Sequence, residues 1–368
     1  MSNNRLYGIC YLALENRFVF DPEKALELIH NMGFGSIRHW MHFSNLLQDP
    51  TTLNVKNVEI MHQIIEKTRA LDIEIVGMNH TNFNHGKFSI GKVHPLHHSY
   101  FTWLKDYEES WYTLVKAFPK ITYWEIDNEL NNKDFMYIEH DRNYVMALDE
   151  MATLAIDMLF YASKGIKRAN PKAITIMGGI VDTHAIIKGD PDYTLGTGSM
   201  IPFLKLMYDK IYKNTHGSTN PDDFFERVCW HPYYYRKALD NDFFELNEKI
   251  YNTILVCEGK HKGVFITEFG WSEEHVNQKE VTRFIGTLFE CVKQNMPYVE
   301  TLHYFRLLNN LEENGQKYGL FYDPKPHVSD KNPLNGEIMT AQPKPQAFAM
   351  QKALNGNGDL SYFKKSKE

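Results

Sequence analysis

Residues 121–131 read Ile-Thr-Tyr-Trp-Glu-Ile-Asp-Asn-Glu-Leu-Asn. An apolar run over Ile121–Ile126 reads as a buried strand, ends on a carboxylate-rich turn, and is followed by a long amphipathic pattern from about Arg142 to Ala169. The same unit recurs on both sides. Towards the N-terminus, Arg5–Tyr11 is a strand, and Asp21-Pro22 opens a helix to about Met32, with a capping residue and a proline at the first helical position. Gly35–Met41 precedes a helix over Val55–Ala70, and Ile73–Met78 leads through a His/Asn-rich loop to a helix near Phe101–Ala117. Towards the C-terminus, Ile174–Gly178 is followed by a Gly/Asp-rich loop and a helix at Ile201–Lys213. Val228–His231 pairs with a helix near Phe243–Cys257, and Gly263–Thr267 with one over Lys279–Asn295. Val299–Phe305 is the last strand, and a polar, Pro-rich excursion (Pro324–Pro345) precedes a helix around Gln346–Leu354. Eight strand–helix units in strict alternation predict an α/β fold, a (β/α)8 TIM barrel in a single domain over 1–368 with extended loops. An open doubly wound sheet also alternates, but it would carry a Gly-rich first turn. Gly196-Thr197-Gly198 is followed by Ser-Met-Ile, with no third glycine.

Composition narrows the function. The 368 residues carry 40 Lys+Arg against 46 Asp+Glu, a formal charge of −6, which argues against nucleic acid as the main partner because phosphate binding needs clustered cations. No run of 18 apolar residues predicts a membrane span, and the first residues lack the apolar stretch of a signal peptide, so a cytoplasmic location is expected. The four cysteines (Cys10, Cys229, Cys257, Cys291) lie far apart without CxxC spacing and read as buried free thiols. Twenty-three Phe, 21 Tyr and 6 Trp supply apolar faces suited to stacking on sugar rings. No P-loop, HExxH or Gly-x-Ser-x-Gly pattern occurs, which removes common NTPase, zinc-protease and serine-hydrolase readings.

Two strand ends deliver a glutamate to the rim, Glu129 after strand four and Glu268 in Val264-Phe265-Ile266-Thr267-Glu268-Phe269-Gly270-Trp271-Ser272 at strand seven. Strands four and seven face one another across a barrel mouth. Two converging carboxylates are what glycoside hydrolysis requires: one protonates the leaving oxygen while the other attacks the anomeric carbon or activates water.

These two motifs resemble the retaining glycoside hydrolases of clan A, a group that includes cellulases, mannanases, β-galactosidases and β-xylosidases. Trp124–Asn131 is most similar to the Trp-Glu-Val-Trp-Asn-Glu-Pro-Asn style of the β-xylosidase and iduronidase branch. The resemblance implies Glu129 as acid/base and Glu268 as nucleophile, with Asn128 bonding the sugar 2-hydroxyl. It also implies Arg38, at the end of strand two, beside the nucleophile. His231-Pro232-Tyr233 at strand six matches the position of a tyrosine that donates to the nucleophile, with Tyr234 as substitute if the register slips. His231 would orient a glutamate or bind sugar. The chain departs from the pattern in having Leu130 for the usual proline and Asp127 for the usual tryptophan. Asp127 either raises the proton affinity of Glu129 by like-charge repulsion or is neutralised by a lysine or arginine. No tryptophan ends strand eight, where Tyr304, Phe305 and Arg306 stand. Arg306 suggests an acidic sugar or a structural ion pair. Tyr318–Phe321 and Lys344–Phe348 are similar to the closing turn and last helix of the clan.

Asn79 and His80, after strand three, are further candidates for sugar hydroxyls, and Trp271 for a stacking platform. His94, His97 and His98 read as solvated loop histidines. The expected partner is a carbohydrate, with neither cofactor nor metal; the long loops after strands three, five and eight would either wall off a pocket or border an open groove, and the expected intracellular location favours action at chain ends of short oligosaccharides. Two alternatives compete. One is a metal-dependent TIM-barrel sugar isomerase or hydrolase built on His80, Glu129, His231 and Glu268; the other is a catalytically inactive carbohydrate-binding barrel.

Overall fold

The computed structural model describes residues 7–11, 22–81, 88, 90–181, 200–234, 238–309, 317–322 and 342–360. Eight parallel strands close into a barrel: β1 (Tyr7–Tyr11), β2 (Ser36–Trp40), β3 (Glu74–Asn79), β4 (Tyr123–Ile126), β5 (Ile174–Met177), β6 (Arg227–His231), β7 (Gly263–Phe269) and β8 (Val299–Tyr304). Each pairs with the next, and β8 returns to β1 through Gly8 opposite His303. Helices α1 (Pro22–Asn31), α2 (Val55–Ala70), α3 (Tyr100–Ala117), α4 (Leu148–Ala169), α5 (Met200–Tyr212), α6 (Asn241–Glu258), α7 (Gln278–Asn295) and α8 (Pro345–Ala353) alternate with the strands. The fold is a (β/α)8 TIM barrel, as the alternation predicts.

Local chemistry accounts for where the helices start and stop. The Asp240 side chain accepts from the Phe243 amide at the start of α6, and Asn277 does the same for Glu280 at the start of α7. Gly259 ends α6 with φ +67°, a left-handed conformation that glycine adopts without strain. Helix α4 begins at Leu148 rather than near Arg142, because the Glu150 carboxylate takes the Ala147 amide and fixes the first turn there. The expected end of the seventh strand also moves: β7 runs to Phe269, opposite Tyr304, rather than ending at Thr267. The Gly/Asp-rich loop, most of the Pro-rich excursion and the Asp21 cap lie outside the described residues.

Strand alternation divides the side chains into two environments. On the outer face of β4, Trp124 is fully buried and meets Trp111 of α3 edge-on at 6.1 Å. Inside the barrel, Val76, Ile176, Cys229 and Phe265, flanked by Tyr123, form a separate apolar plug. The other inward groups of β2, β4, β6 and β7 are charged or polar: Arg38, Glu125, His231 and Thr267, all with no exposure to solvent. Charges this deep persist only where they are paired and hydrogen-bonded. Cys10 and Cys229 are buried, whereas Cys257 and Cys291 are only half-buried. Among the described residues, no helix is long and apolar enough to cross a membrane.

Candidate active site

Arg38 is the organising cation. Its guanidinium forms a fork on Glu125, Nε to Oε2 at 2.6 Å and Nη2 to Oε1 at 2.8 Å. The same Nη2 donates to Asn128 Oδ1 at 2.7 Å, and Nη1 donates to Glu268 Oε1. Glu125 Oε1 also accepts from the Thr267 hydroxyl (2.9 Å) and the Gly179 amide (3.3 Å). A fully buried carboxylate is thus supplied with donors on both oxygens, the condition under which a buried ion pair is tolerated. Glu125 is the residue that sequence reasoning missed. The available signal was a carboxylate inside an apolar strand with the parity of a barrel-facing position, where only a buried cation can answer it.

Glu268 reaches the centre because of an irregularity in β7. Ile266 pairs with Leu302 and Phe269 with Tyr304, so β7 carries one more residue than β8 over this stretch. A bulge of this kind re-aims side chains. The consecutive residues Thr267 and Glu268 consequently both engage the interior network. Tyr233 donates to Glu268 Oε2 at 2.8 Å, whereas the Tyr234 hydroxyl turns to Asp240 at 2.7 Å. Burial raises the proton affinity of the Glu268 carboxyl. The His231 charge, the Arg38 charge and the Tyr233 bond outweigh it and hold the pKa below the usual carboxylate value.

Glu129 sits on a turn in which Asp127 (φ 68°) and Glu129 (φ 44°) both adopt left-handed conformations. Its Oε2 accepts from Asn132 Nδ2 at 2.6 Å, and its Oε1 lies 3.2 Å from His231 Nδ1. The same Nδ1 is 3.8 Å from Glu268 Oε2, so the imidazole stands between the two rim carboxylates. His231 Nε2 lies 3.0 Å from Thr267 Oγ1. The ring lies against the backbone at the end of β5, where a Cβ on Gly179 would fall 2.1 Å from Nε2. Only glycine leaves room for the ring there.

Burial lowers the pKa of His231, but Glu268 and the bonds to Cys229 and Glu129 overcome it and push the value up to about 10. A raised folded-state pKa contributes stability that is complete below the ordinary value of 6.5 and is lost as pH rises through 10. The stability of the wild type is therefore expected to decline between these pH values more steeply than that of His231→Asn. Denaturant unfolding across that window measures the difference, and parallel curves would contradict an imidazolium at this position.

The structure brings Arg38, Asn128, Glu129, His231, Tyr233 and Glu268 into one hydrogen-bonded cluster. Asn79 and His80 flank it. The Asn79 side-chain Oδ1 accepts the Phe43 amide at 2.9 Å, and its Nδ2 is buried without a hydrogen bond among the described residues. His80 faces Asp127 at 3.9 Å and packs edge-on against Phe135, and burial lowers its pKa to about 4 against the pull of Asp127. Trp271 requires a correction: it packs between Phe269 and Phe284 of α7 at 1% exposure and offers no open face for stacking. Asp127 is neutralised by Lys92 at 2.9 Å, which settles its two alternatives. Arg306 donates to the Leu308 carbonyl at 3.0 Å and lies over the Phe305 ring. At the strand-eight side Tyr233, Phe305 and Tyr318 form an aromatic group with Val181, its ring centroids 5.4–6.2 Å apart.

Two donor sets have atoms within 4.8 Å of one another: Glu129, His231 and Glu268, and Glu125, Cys229 and His231. His231 belongs to both sets, and in the second, burial followed by the Glu125 charge pushes the Cys229 thiol up.

No protein-family model and no curated protein sequence matches the chain. Solved structures match along nearly its whole length. The fold is shared with glycosidases. A family 39 glycoside hydrolase from the gut symbiont Bacteroides cellulosilyticus WH2 aligns with TM-score 0.59 and 16% identity over 95% of this chain, which spans 63% of the length of that protein. A β-glucosidase from Thermotoga maritima in complex with glucoimidazole aligns with TM-score 0.61 and 11% identity, covering 97% of this chain and 99% of the other. The β-glycosidase BGL167 gives TM-score 0.63 and 12% identity, with 98% of each chain covered. At such identities the likeness establishes the fold alone. It falls on the same broad group that residues 123–131 and 264–272 resemble.

Proposed function

We propose that the protein is a retaining β-glycoside hydrolase acting on a carbohydrate by double displacement. The observation that carries this reading is the pair Glu129 and Glu268, delivered by β4 and β7, with carboxylate oxygens within 4.8 Å of each other across His231. Retaining enzymes hold their two carboxyl groups about 5–5.5 Å apart, whereas inverting enzymes leave room for a water at ~6.5–9.5 Å. Glu268, kept ionised by Arg38, His231 and Tyr233, attacks the anomeric carbon. Glu129, at the slightly open end of the cluster, protonates the departing oxygen and then deprotonates the water that releases the sugar. Asn128, aimed by Arg38, is placed to meet the 2-hydroxyl.

A panel of aryl β-glycosides tests the reading, with the anomer of the first-formed sugar followed by proton NMR. Release of the β-anomer first supports double displacement. First release of the α-anomer would overturn retention while leaving a hydrolase. Activity that a chelator removes and a divalent cation restores would favour the metal-dependent alternative. Binding of sugars without any product would favour the inactive barrel.

A further inference from the structure

We propose that Lys92 is a positioning residue for the acid/base turn, acting on Glu129 through Asp127; the inference rests on the glycosidase reading above. Lys92 comes from the segment after β3 and is fully buried, as is Asp127. Its Nζ lies 2.9 Å from Asp127 Oδ2 and donates to Thr81 Oγ1 at 2.6 Å. The Thr81 hydroxyl donates in turn to the same Asp127 oxygen at 2.8 Å. The other oxygen, Oδ1, accepts the Asn128 amide at 2.8 Å. The Lys92 carbonyl accepts the Glu139 amide at 3.0 Å, which anchors the lysine to a third segment.

This arrangement explains how the turn is held. The Asp127 amide donates to the Asn79 carbonyl at 3.0 Å, and the chain then passes through two left-handed non-glycine residues, Asp127 and Glu129. Such conformations persist only where surrounding groups over-determine them. The Asp127 carboxylate is fixed on both oxygens, one to the turn's own backbone and one to Lys92 and Thr81. Asn128 is also held by Arg38, whereas Glu129 follows two residues after Asp127 and its reach to His231 depends on that anchor. Lys92 touches neither Glu129 nor Glu268 in any bond described. A positively charged side chain is needed here because the turn carries an aspartate, where the glycosidases it resembles carry a tryptophan.

The test uses leaving groups. A general acid accelerates departure of a poor leaving group and matters little for one that needs no proton. Lys92→Met, Glu129→Ala and the wild type are compared on phenyl and 2,4-dinitrophenyl β-glycosides of a sugar that the wild type turns over. In Lys92→Met, kcat/KM for the phenyl glycoside is expected to fall roughly tenfold to a hundredfold, the scale on which a small misplacement acts, while the dinitrophenyl value changes by less than about threefold. A merely structural loss lowers both values together. Thr81→Val removes one donor from Asp127 without leaving a bare charge. It is expected to show the same selectivity in smaller measure, which keeps the proposal testable if Lys92→Met does not fold. Equal losses on both substrates, or none, in the Lys92 and Thr81 variants overturn the proposal, provided Glu129→Ala itself is selective. Equal losses in Glu129→Ala instead overturn its role as the acid, and the proposal falls with it.

Discussion

Glu268→Ala is expected to lower turnover of aryl β-glycosides by at least about 10⁴-fold, because it removes the carboxylate that the proposed first step uses to attack the anomeric carbon. The vacated space lies beneath the Arg38 guanidinium and the Tyr233 hydroxyl, both of which bond the missing carboxylate in the wild type. Azide, small and anionic, fits such a space and should restore turnover with formation of the α-glycosyl azide. Glu129→Ala behaves differently. It keeps the nucleophile, so activated substrates still load the enzyme, and azide then attacks from the opposite face to give the β-azide. Its loss is expected at about 10²–10⁴-fold on substrates that need protonation. The two azide configurations separate the roles. Rescue with the same configuration in both variants, or undiminished turnover in either, would refute the assignment.

Arg38→Met is expected to destabilise the folded protein by about 3–5 kcal/mol, the usual cost of leaving buried charge without its partner. The variant strands two carboxylates, Glu125 and Glu268, which the guanidinium bridges in the wild type. The pH dependence follows from the direction of the Glu268 shift. Its folded-state pKa is lowered, so its contribution is present above the unfolded value of about 4.3 and is lost as pH falls through the folded value. Without Arg38, only the His231 charge and the Tyr233 bond oppose burial, so the folded-state pKa of Glu268 rises. The deficit of the variant should thus be largest near neutrality and shrink towards about pH 4. Denaturant melts of both proteins at the two pH values measure this, and a deficit independent of pH would contradict the pairing. Arg38→Met/Glu125→Gln should recover part of the loss, because one stranded charge is removed with its partner.

The barrel was legible from the sequence because each strand is a short apolar run and each helix a longer periodic one, and these two periods are local properties. Glu129 and Glu268 were legible for the same reason: each follows an apolar run that has to be barrel wall. Boundaries depend on single contacts. The Ala147–Glu150 bond sets the start of α4, and nothing in the periodicity of Arg142–Met146 marks it. Partners distant in sequence were not legible. Glu125 and Arg38 are 87 residues apart, and Lys92 and Asp127, on different segments, meet only in the folded chain. The alternative for Asp127, a neighbouring cation, was visible as a possibility, but its identity needed the fold. Trp271 shows the opposite failure. A tryptophan near a strand end reads as a platform, yet the twist beyond β7 turns it into the helix layer against Phe284.

The position of His231 between Glu129 and Glu268 has a consequence for how charge moves in the proposed reaction. Before attack, the proposed reaction has its negative charge on Glu268, beside Arg38 and His231, and its acid proton on Glu129. After attack, Glu268 is an ester and the proton has left Glu129, so the negative charge has crossed from one side of the imidazole to the other. The total is unchanged. The ring, 3.2 Å from one carboxylate and 3.8 Å from the other, is adjacent to the charge before and after the step. The proposed reaction thereby resembles an ion hopping between two berths of one fixed counter-ion.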